Sequence, residues 1–440
     1  MTTSPLFTPL TLANGSVLAN RLAKAAMEEN MAAGGQLPGE KIRRLYARWS
    51  AGGAGLIITG NVMVHAEALT GPAGIVLDAH SPLEPFRAWA NAAKSGGSQV
   101  WMQINHPGRQ VMANMPGIAW GPSPIKVDIG KQSKRLARPT AMTAAQIGRT
   151  VARFAETARR AEEAGFDGVE VHAAHGYLLS QFLSPLVNTR TDRWGGSLDN
   201  RARLLLDIVR AVREVVSPSF VVAVKLNSAD FQRGGFDAAD AGRVIELLAP
   251  LGVEVVELSG GSYESPAMSG RAADERTQAR EAYFLTLAEE LARSSPLPLM
   301  LTGGIVRRSV AEEVLAGGID LAGMGTALAL DPDLPNKWRH GHDTAVELAP
   351  ITIKDKALAS AVGMARVRRQ LRRLGAGRPT RPHTHPTVAF AQETLLQRRA
   401  LRRYRTWLHN RDTSATTPIP GTAANPGGSV DTASTRRSPR

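Results

Sequence analysis

From position 22 to position 340, short apolar runs alternate with longer amphipathic stretches. The apolar runs at 22–26, 55–59, 99–104, 168–171, 220–226, 253–258, 297–301 and 321–324 predict eight strands. Several are apolar at consecutive positions, as in strands covered on both faces, which points to a parallel sheet. Helix-like segments follow at 38–51, 82–94, 144–164, 198–216, 238–251, 277–293, 309–316 and 332–340, with Thr143 placed to cap the longest. Eight strand–helix units over this length predict a (β/α)8 TIM barrel. Residues 10–18 alternate around Asn14-Gly15, which predicts a hairpin closing the amino-terminal end of the barrel.

Past Ile351 the pattern changes. Residues 355–374 and 387–409 are basic and helix-prone, and the stretch after Asp412 is rich in Thr, Pro, Ala, Gly and Ser. Three regions are therefore expected: a barrel over 1–350, a basic helical extension over 351–411 and a disordered tail over 412–440. Charge sharpens the division. Residues 351–440 hold 18 Lys and Arg against four Asp and Glu, an excess equal to the +14 of all 440 residues. The barrel is thus neutral, which argues against a nucleic-acid groove in it, and the extension's charge reads as a solvated face.

Composition excludes several classes. No apolar run is long enough to span a membrane, and the first residues lack a signal peptide's basic and apolar regions. There is no cysteine, so disulfides, thiolate zinc sites and cysteine-held iron–sulfur clusters are ruled out. A cytoplasmic enzyme is expected, with self-association into a homo-oligomer left open.

The candidate chemistry sits where barrel strands end, because those ends open onto the active-site face. The fourth strand runs into His172-Ala173-Ala174-His175-Gly176-Tyr177. Two imidazoles can donate to one oxygen and a phenol can give a proton, which is equipment for polarising a carbonyl and protonating a neighbouring carbon. The same spacing on its own also suits a metal pair or structural histidines; no metal is expected. The seventh and eighth strands end in Gly303-Gly304 and Gly325-Thr326, where backbone N–H groups commonly cradle a phosphate. Lys225 lies inside the apolar run Val222–Leu226 and needs an anion or an oxygen partner if buried. Gln103 could offer its amide to a planar heterocycle. Together these suit flavin mononucleotide, and no G-x-G-x-x-G follows a strand to suggest a separate dinucleotide domain.

These motifs resemble the Old Yellow Enzyme family of NADH:flavin oxidoreductases in its short, cluster-free form, over roughly residues 5–345. The matching text is Asn20-Arg21, Gly55 to Gly60, Gln103-Ile104-Asn105-His106-Pro107-Gly108-Arg109, His172 to Pro185, Asn188 to Ser197, Asn200-Arg201 and Gly303-Gly304. The resemblance implies a non-covalent FMN, reduced by NADPH or NADH and reoxidised by an enone or related electron-poor alkene. It places Gln103 on the flavin's pyrimidine edge, Lys225 beside N1 and O2, and Ala26 and Gly60 along the isoalloxazine. Gly303, Gly304, Gly325 and Thr326 would hold the phosphate. His172 and His175 would bind the substrate's carbonyl oxygen, and Tyr177 would donate the proton. Arg190 and Asp192 are assigned to structure. Three positions depart from the family's usual pattern: Lys225 and Thr326 stand where arginines are common, and Glu28, near flavin O4 and N5, stands where threonine or cysteine is common. Demethylation, nitro reduction and a non-catalytic flavoprotein interaction module are the alternative readings.

Overall fold

The computed structural model describes residues 4–265, 284–346, 348, 351–353 and 355–416. Eight parallel strands close on themselves: β1 (Leu22–Lys24), β2 (Leu56–Ile58), β3 (Gln99–Asn105), β4 (Gly168–Ala173), β5 (Val221–Asn227), β6 (Val255–Ser259), β7 (Leu299–Thr302) and β8 (Leu321–Met324). Each pairs with the next, and β8 pairs with β1, which closes the barrel; two short strands, Val62–Met63 and Ile75–Val76, add to the sheet beside the end of β3. β4 and β5 are buried along their whole length, as their mostly apolar sequences predict, with Glu170, His172 and Lys225 as buried exceptions.

Leu10–Thr11 and Val17–Leu18 form the expected antiparallel hairpin. Leu10, Leu12 and Leu18 pack with Ala23, Leu56, Trp101, Val221 and Met300, plugging the amino-terminal end of the barrel. The outer ring contains α1 (Glu40–Ser50), α2 (Glu84–Lys94), α3 (Ala144–Glu163), α4 (Leu178–Leu183), α5 (Leu198–Val215), α6 (Ala238–Leu248), α7 (Leu285–Ala292), α8 (Arg308–Ala316), α9 (Thr326–Leu330) and α10 (Leu334–Arg339). Thr143 caps α3 through a reciprocal pair: Gln146 N–H donates to Thr143 Oγ1 at 3.3 Å, and Thr143 N–H donates to Gln146 Oε1 at 2.8 Å. The amino-terminal part of the helix expected over 277–293 lies outside the described residues. Sequence periodicity did not reveal α4 or α9, because each is a short turn of buried residues without an amphipathic repeat.

The extension departs from expectation. Its two helices, α11 (Lys356–Gly375) and α12 (Pro386–Thr416), are not simply solvated. Val362, Ala365, Leu371 and Leu374 of α11 are buried where that helix packs on α1. In α12, Tyr404 and Leu408 join Met63, Ala66, Leu69 and Val76 in a second core, and Tyr404 Oη donates to Ala66 O at 2.9 Å. Arg398, Arg399, Arg402, Arg403 and Arg405 of α12 are exposed, whereas the arginines of α11 are buried or half-buried, and the buried stripes dock the hairpin. The disordered tail was expected from residue 412, but α12 continues through Thr416. Arg411, paired with Asp78 at 2.6 Å, anchors the helix close to that point. Residues 417–440 lie outside the described part.

Candidate active site

β4 carries its chemistry out of the barrel through a strained turn. His175 and Gly176 both take left-handed backbone conformations, with φ of 60° and 72°. A β-carbon on Gly176 would lie 2.8 Å from Ser262 Cβ, so the turn needs glycine there. For His175 the conformation is a strain that its neighbours must hold. The His175 N–H donates to Asn227 Oδ1 at 3.0 Å, Gln110 Nε2 donates to its carbonyl at 2.9 Å, and its Nε2 meets Ser259 Oγ at 2.8 Å. The turn thereby brings three rings together. His172 stands edge to face with His175 at 5.1 Å and with Tyr177 at 5.0 Å between ring centroids. Tyr263, from the loop after β6, packs 6.2 Å from Tyr177.

His172 Nδ1 accepts the Ala174 N–H at 3.2 Å, so in the neutral ring the proton sits on Nε2. Burial keeps both imidazoles neutral. His172 is held well below the usual histidine range by desolvation, then by His175 and Lys225. Desolvation and Lys225 bring His175 to about 3. Burial and the neighbouring Tyr263 and Glu28 push the Tyr177 phenol well above 10, so it keeps its proton at physiological pH.

Below the rings lies a buried polar layer. Gln103 Nε2 donates to Glu170 Oε2 at 2.6 Å, and Lys225 donates to Glu257, its register partner on β6. Burial and the adjacent Glu257 raise Glu170 well above its usual value. Burial opposes a charge on Glu257, but Lys225 outweighs it and holds that carboxyl below its usual value. A second buried cation, Lys24, donates to Ile58 O at 2.7 Å and lies 3.9 Å from Glu29, whose partner is Tyr46. Burial lowers Lys24 to about 8 against the pull of Glu29. The Tyr46 hydroxyl in turn accepts the Gly60 N–H at 2.8 Å.

The glycine turns lie at the ends of neighbouring strands. Gly303 and Gly304, after β7, have φ of 152° and 70°, and Gly304 is exposed. Gly325 precedes α9 and Thr326 opens it, exposed, so the first N–H groups of α9 have no acceptor within the helix. Ala26 is half-buried just after β1. Glu28 follows it, pairing with Thr70, Asn30 and Arg368. Arg190 acts as a brace, donating to Pro122 O at 3.0 Å and Met142 O at 2.7 Å and pairing with Asp192.

An amide, a cation and paired glycine turns around one mouth fit a flavin phosphate and its ring. The side chain of Asn105, at the end of β3, agrees: both its polar atoms are buried with no hydrogen-bond partner among the described residues. The description "NADH:flavin oxidoreductase / NADH oxidase family" fits residues 5–345 of the chain. This protein belongs to the Old Yellow Enzyme family. It is therefore an NAD(P)H-dependent flavin oxidoreductase of the Old Yellow Enzyme type. It is 37% identical over 357 residues to the NADH-dependent flavin oxidoreductase iliE of Hypocrea jecorina, covering 76% of this chain and 89% of that one. The NADPH dehydrogenase of Bacillus subtilis is 32% identical over 331 residues, covering 74% of this chain and 92% of its own. The fold matches morphinone reductase in complex with tetrahydroNAD, with a TM-score of 0.64, 26% identity and coverage of 78% of this chain and 93% of the other. It also matches the old yellow enzyme homologue of Zymomonas mobilis, with a TM-score of 0.67, 24% identity and coverage of 78% and 94%.

Four residues that the structure brings to this candidate site have no counterpart among those the sequence suggests. Glu170 and Glu257 are charged residues inside apolar strands, the same signal that singled out Lys225, and the cost of burial applies to them equally. Tyr263 and Arg368 had no local signal, since loop and extension reach the mouth only through tertiary packing.

Proposed function

We propose that the protein binds FMN at this mouth and reduces the C=C bond of α,β-unsaturated carbonyl compounds. The chemistry such a group supplies when bound is acceptance of a hydride from NADH or NADPH and its return to an electron-poor carbon. Gln103 has one N–H and its carbonyl left for the pyrimidine edge, and Lys225, oriented by Glu257, would be the cation beside N1 and O2. Gly303, Gly304, Gly325 and Thr326 offer N–H groups to the phosphate, while Ala26 and Gly60 line the plane.

The chain's own residues do the rest. His172 offers Nε2–H to the substrate's carbonyl oxygen. His175 keeps Nδ1 for the same oxygen, since Ser259 engages its Nε2. Each neutral imidazole still carries one N–H, so oxygen charge that grows in the transition state meets fixed dipoles. Tyr177 holds a proton at its hydroxyl for the α-carbon. The observation that carries this reading is the edge-to-face cluster of His172, His175 and Tyr177 with the His172 proton fixed on Nε2.

The test is product analysis. Purified protein with NADH or NADPH and 2-cyclohexen-1-one under anaerobic conditions is expected to yield cyclohexanone. Oxidation of the nicotinamide by quinones or nitroarenes without any saturated ketone would overturn the enone assignment.

A further inference from the structure

The extension does more than dock. Arg368, on α11, is half-buried and reaches Glu28 beside the mouth. Its Nη2 donates to Glu28 Oε2 at 2.6 Å and its Nε to the Glu28 carbonyl at 3.2 Å. Its Nη1 donates to Glu393 Oε1 at 3.2 Å, and Glu393 on α12 is also held by Arg372 at 2.6 Å and Gln397 at 2.8 Å. The other oxygen of Glu28 accepts from Thr70 Oγ1 at 2.6 Å and Asn30 Nδ2 at 2.9 Å. Both carboxylate oxygens are thus engaged, and both extension helices contribute to the clamp.

The clamp sits at the site itself. Glu28 follows Met27, whose Cγ would be 3.7 Å from a β-carbon on Gly325. Glu28 and Arg368 also act with opposite sign on the phenols of Tyr177 and Tyr263. A lone carboxylate here would oppose the negative charge that a flavin gains on reduction. The barrel supplies that carboxylate, and a segment outside the family match supplies its counter-charge.

We propose that Arg368 is a positioning residue of the active site: it fixes Glu28 against Thr70 and Asn30 and cancels its charge beside the flavin, so the extension sets the flavin's reduction potential. This rests on the reading that FMN binds at the mouth. Without Arg368 the reduced flavin should bind less tightly relative to the oxidised form, and the potential should fall. Without the Glu28 charge, Arg368 keeps only Glu393, which it shares with Arg372; a negative charge is lost beside the flavin and the potential should rise.

The experiment is redox titration of FMN-loaded wild type, R368A, R368K, E28Q and the double variant E28Q/R368A, followed by flavin absorbance. R368A is expected to weaken reduced relative to oxidised flavin about tenfold, a drop of about 30 mV for a two-electron couple. E28Q should shift upward by a similar amount, R368K should stay near wild type, and the double variant should return towards it. Opposite shifts from the two ends of one pair are what a merely structural role would not give. If R368A does not fold, E28Q and R368K carry the same test. Unmoved potentials, or shifts of one sign in R368A and E28Q, overturn the assignment of Arg368. A wild-type protein that takes up no FMN overturns the reading beneath it, and this inference with it.

Discussion

Lys225→Met is the sharpest perturbation of the buried layer. The two partners of this ion pair are 3% and 1% exposed in their side chains, so removing the ammonium leaves Glu257 among apolar strands with only Glu170 beside it. Breaking such a pair from one side costs about 3–5 kcal/mol. The protein has one escape, which is to let Glu257 take a proton. For a carboxyl that titrates near 4.3 in water, that costs about 1.4 kcal/mol per pH unit above 4.3, or about 3.7 kcal/mol at pH 7 and about 1 kcal/mol at pH 5. The escape caps the loss, so the penalty should shrink on acidification. The sign follows from linkage: in the variant the folded pKa of Glu257 is raised, so stability is greatest below the unfolded value and is lost as pH rises through the window above it. Urea unfolding of the flavin-free protein at pH 7 and pH 5, read by tryptophan fluorescence, measures both values. Lys225→Met with Glu257→Gln should recover most of the loss, because the amide no longer needs a counter-charge. A penalty equal at the two pH values, or a double variant as unstable as the single one, would refute the reasoning.

Other outcomes follow from the same geometry. His172→Ala with His175→Ala is expected to slow enone reduction by at least about 10²–10³-fold, the cost of one lost oxyanion donor, while reduction of the protein by NAD(P)H is largely retained; steady-state and single-turnover rates measure this. His175 stays neutral down to about pH 3 in the fold, whereas the unfolded imidazole protonates near 6.5. Below pH 6.5 wild type should therefore lose stability more steeply than His175→Asn, by up to about 1.4 kcal/mol per pH unit, in urea titrations across pH 4–8. Ending the chain after Thr416 should leave flavin content and melting temperature unchanged, while ending it at 350 should lower both, because only the second cut removes Arg368, Tyr404 and the core around Leu408; absorbance ratio and thermal melts distinguish them.

The barrel was legible because its evidence is local. Eight apolar runs such as Val222–Leu226 alternate with amphipathic stretches, and Leu10 to Leu18 announce their hairpin through Asn14-Gly15. The His172–Tyr177 segment was legible for the same reason: the strand and the chemistry it delivers are contiguous. What stayed hidden depends on contacts far apart in the chain. Arg368 reads as one arginine among many on a basic helix, and only docking of α11 against the barrel sets it on Glu28, 340 residues away. The extension looked solvated because charge dominates its composition, while its buried stripe of Val362, Ala365, Leu371 and Leu374 is thin. Glu170 and Glu257 could have been found by applying to carboxylates the burial argument already applied to Lys225.

Tyr177→Phe in the oxidative half-reaction tests the central claim most directly. Wild type and variant, loaded with FMN and reduced anaerobically by NAD(P)H, would be mixed in a stopped-flow with 2-cyclohexen-1-one, and return of the oxidised flavin band followed. The phenol is the proton source for carbon, and general acid catalysis is worth about 10²–10⁴-fold, so the variant should reoxidise slower by that order while its rates with NAD(P)H and with a quinone stay close to wild type. Reoxidation by the enone at the wild-type rate in Tyr177→Phe, or no reoxidation by the enone in wild type, would contradict the account.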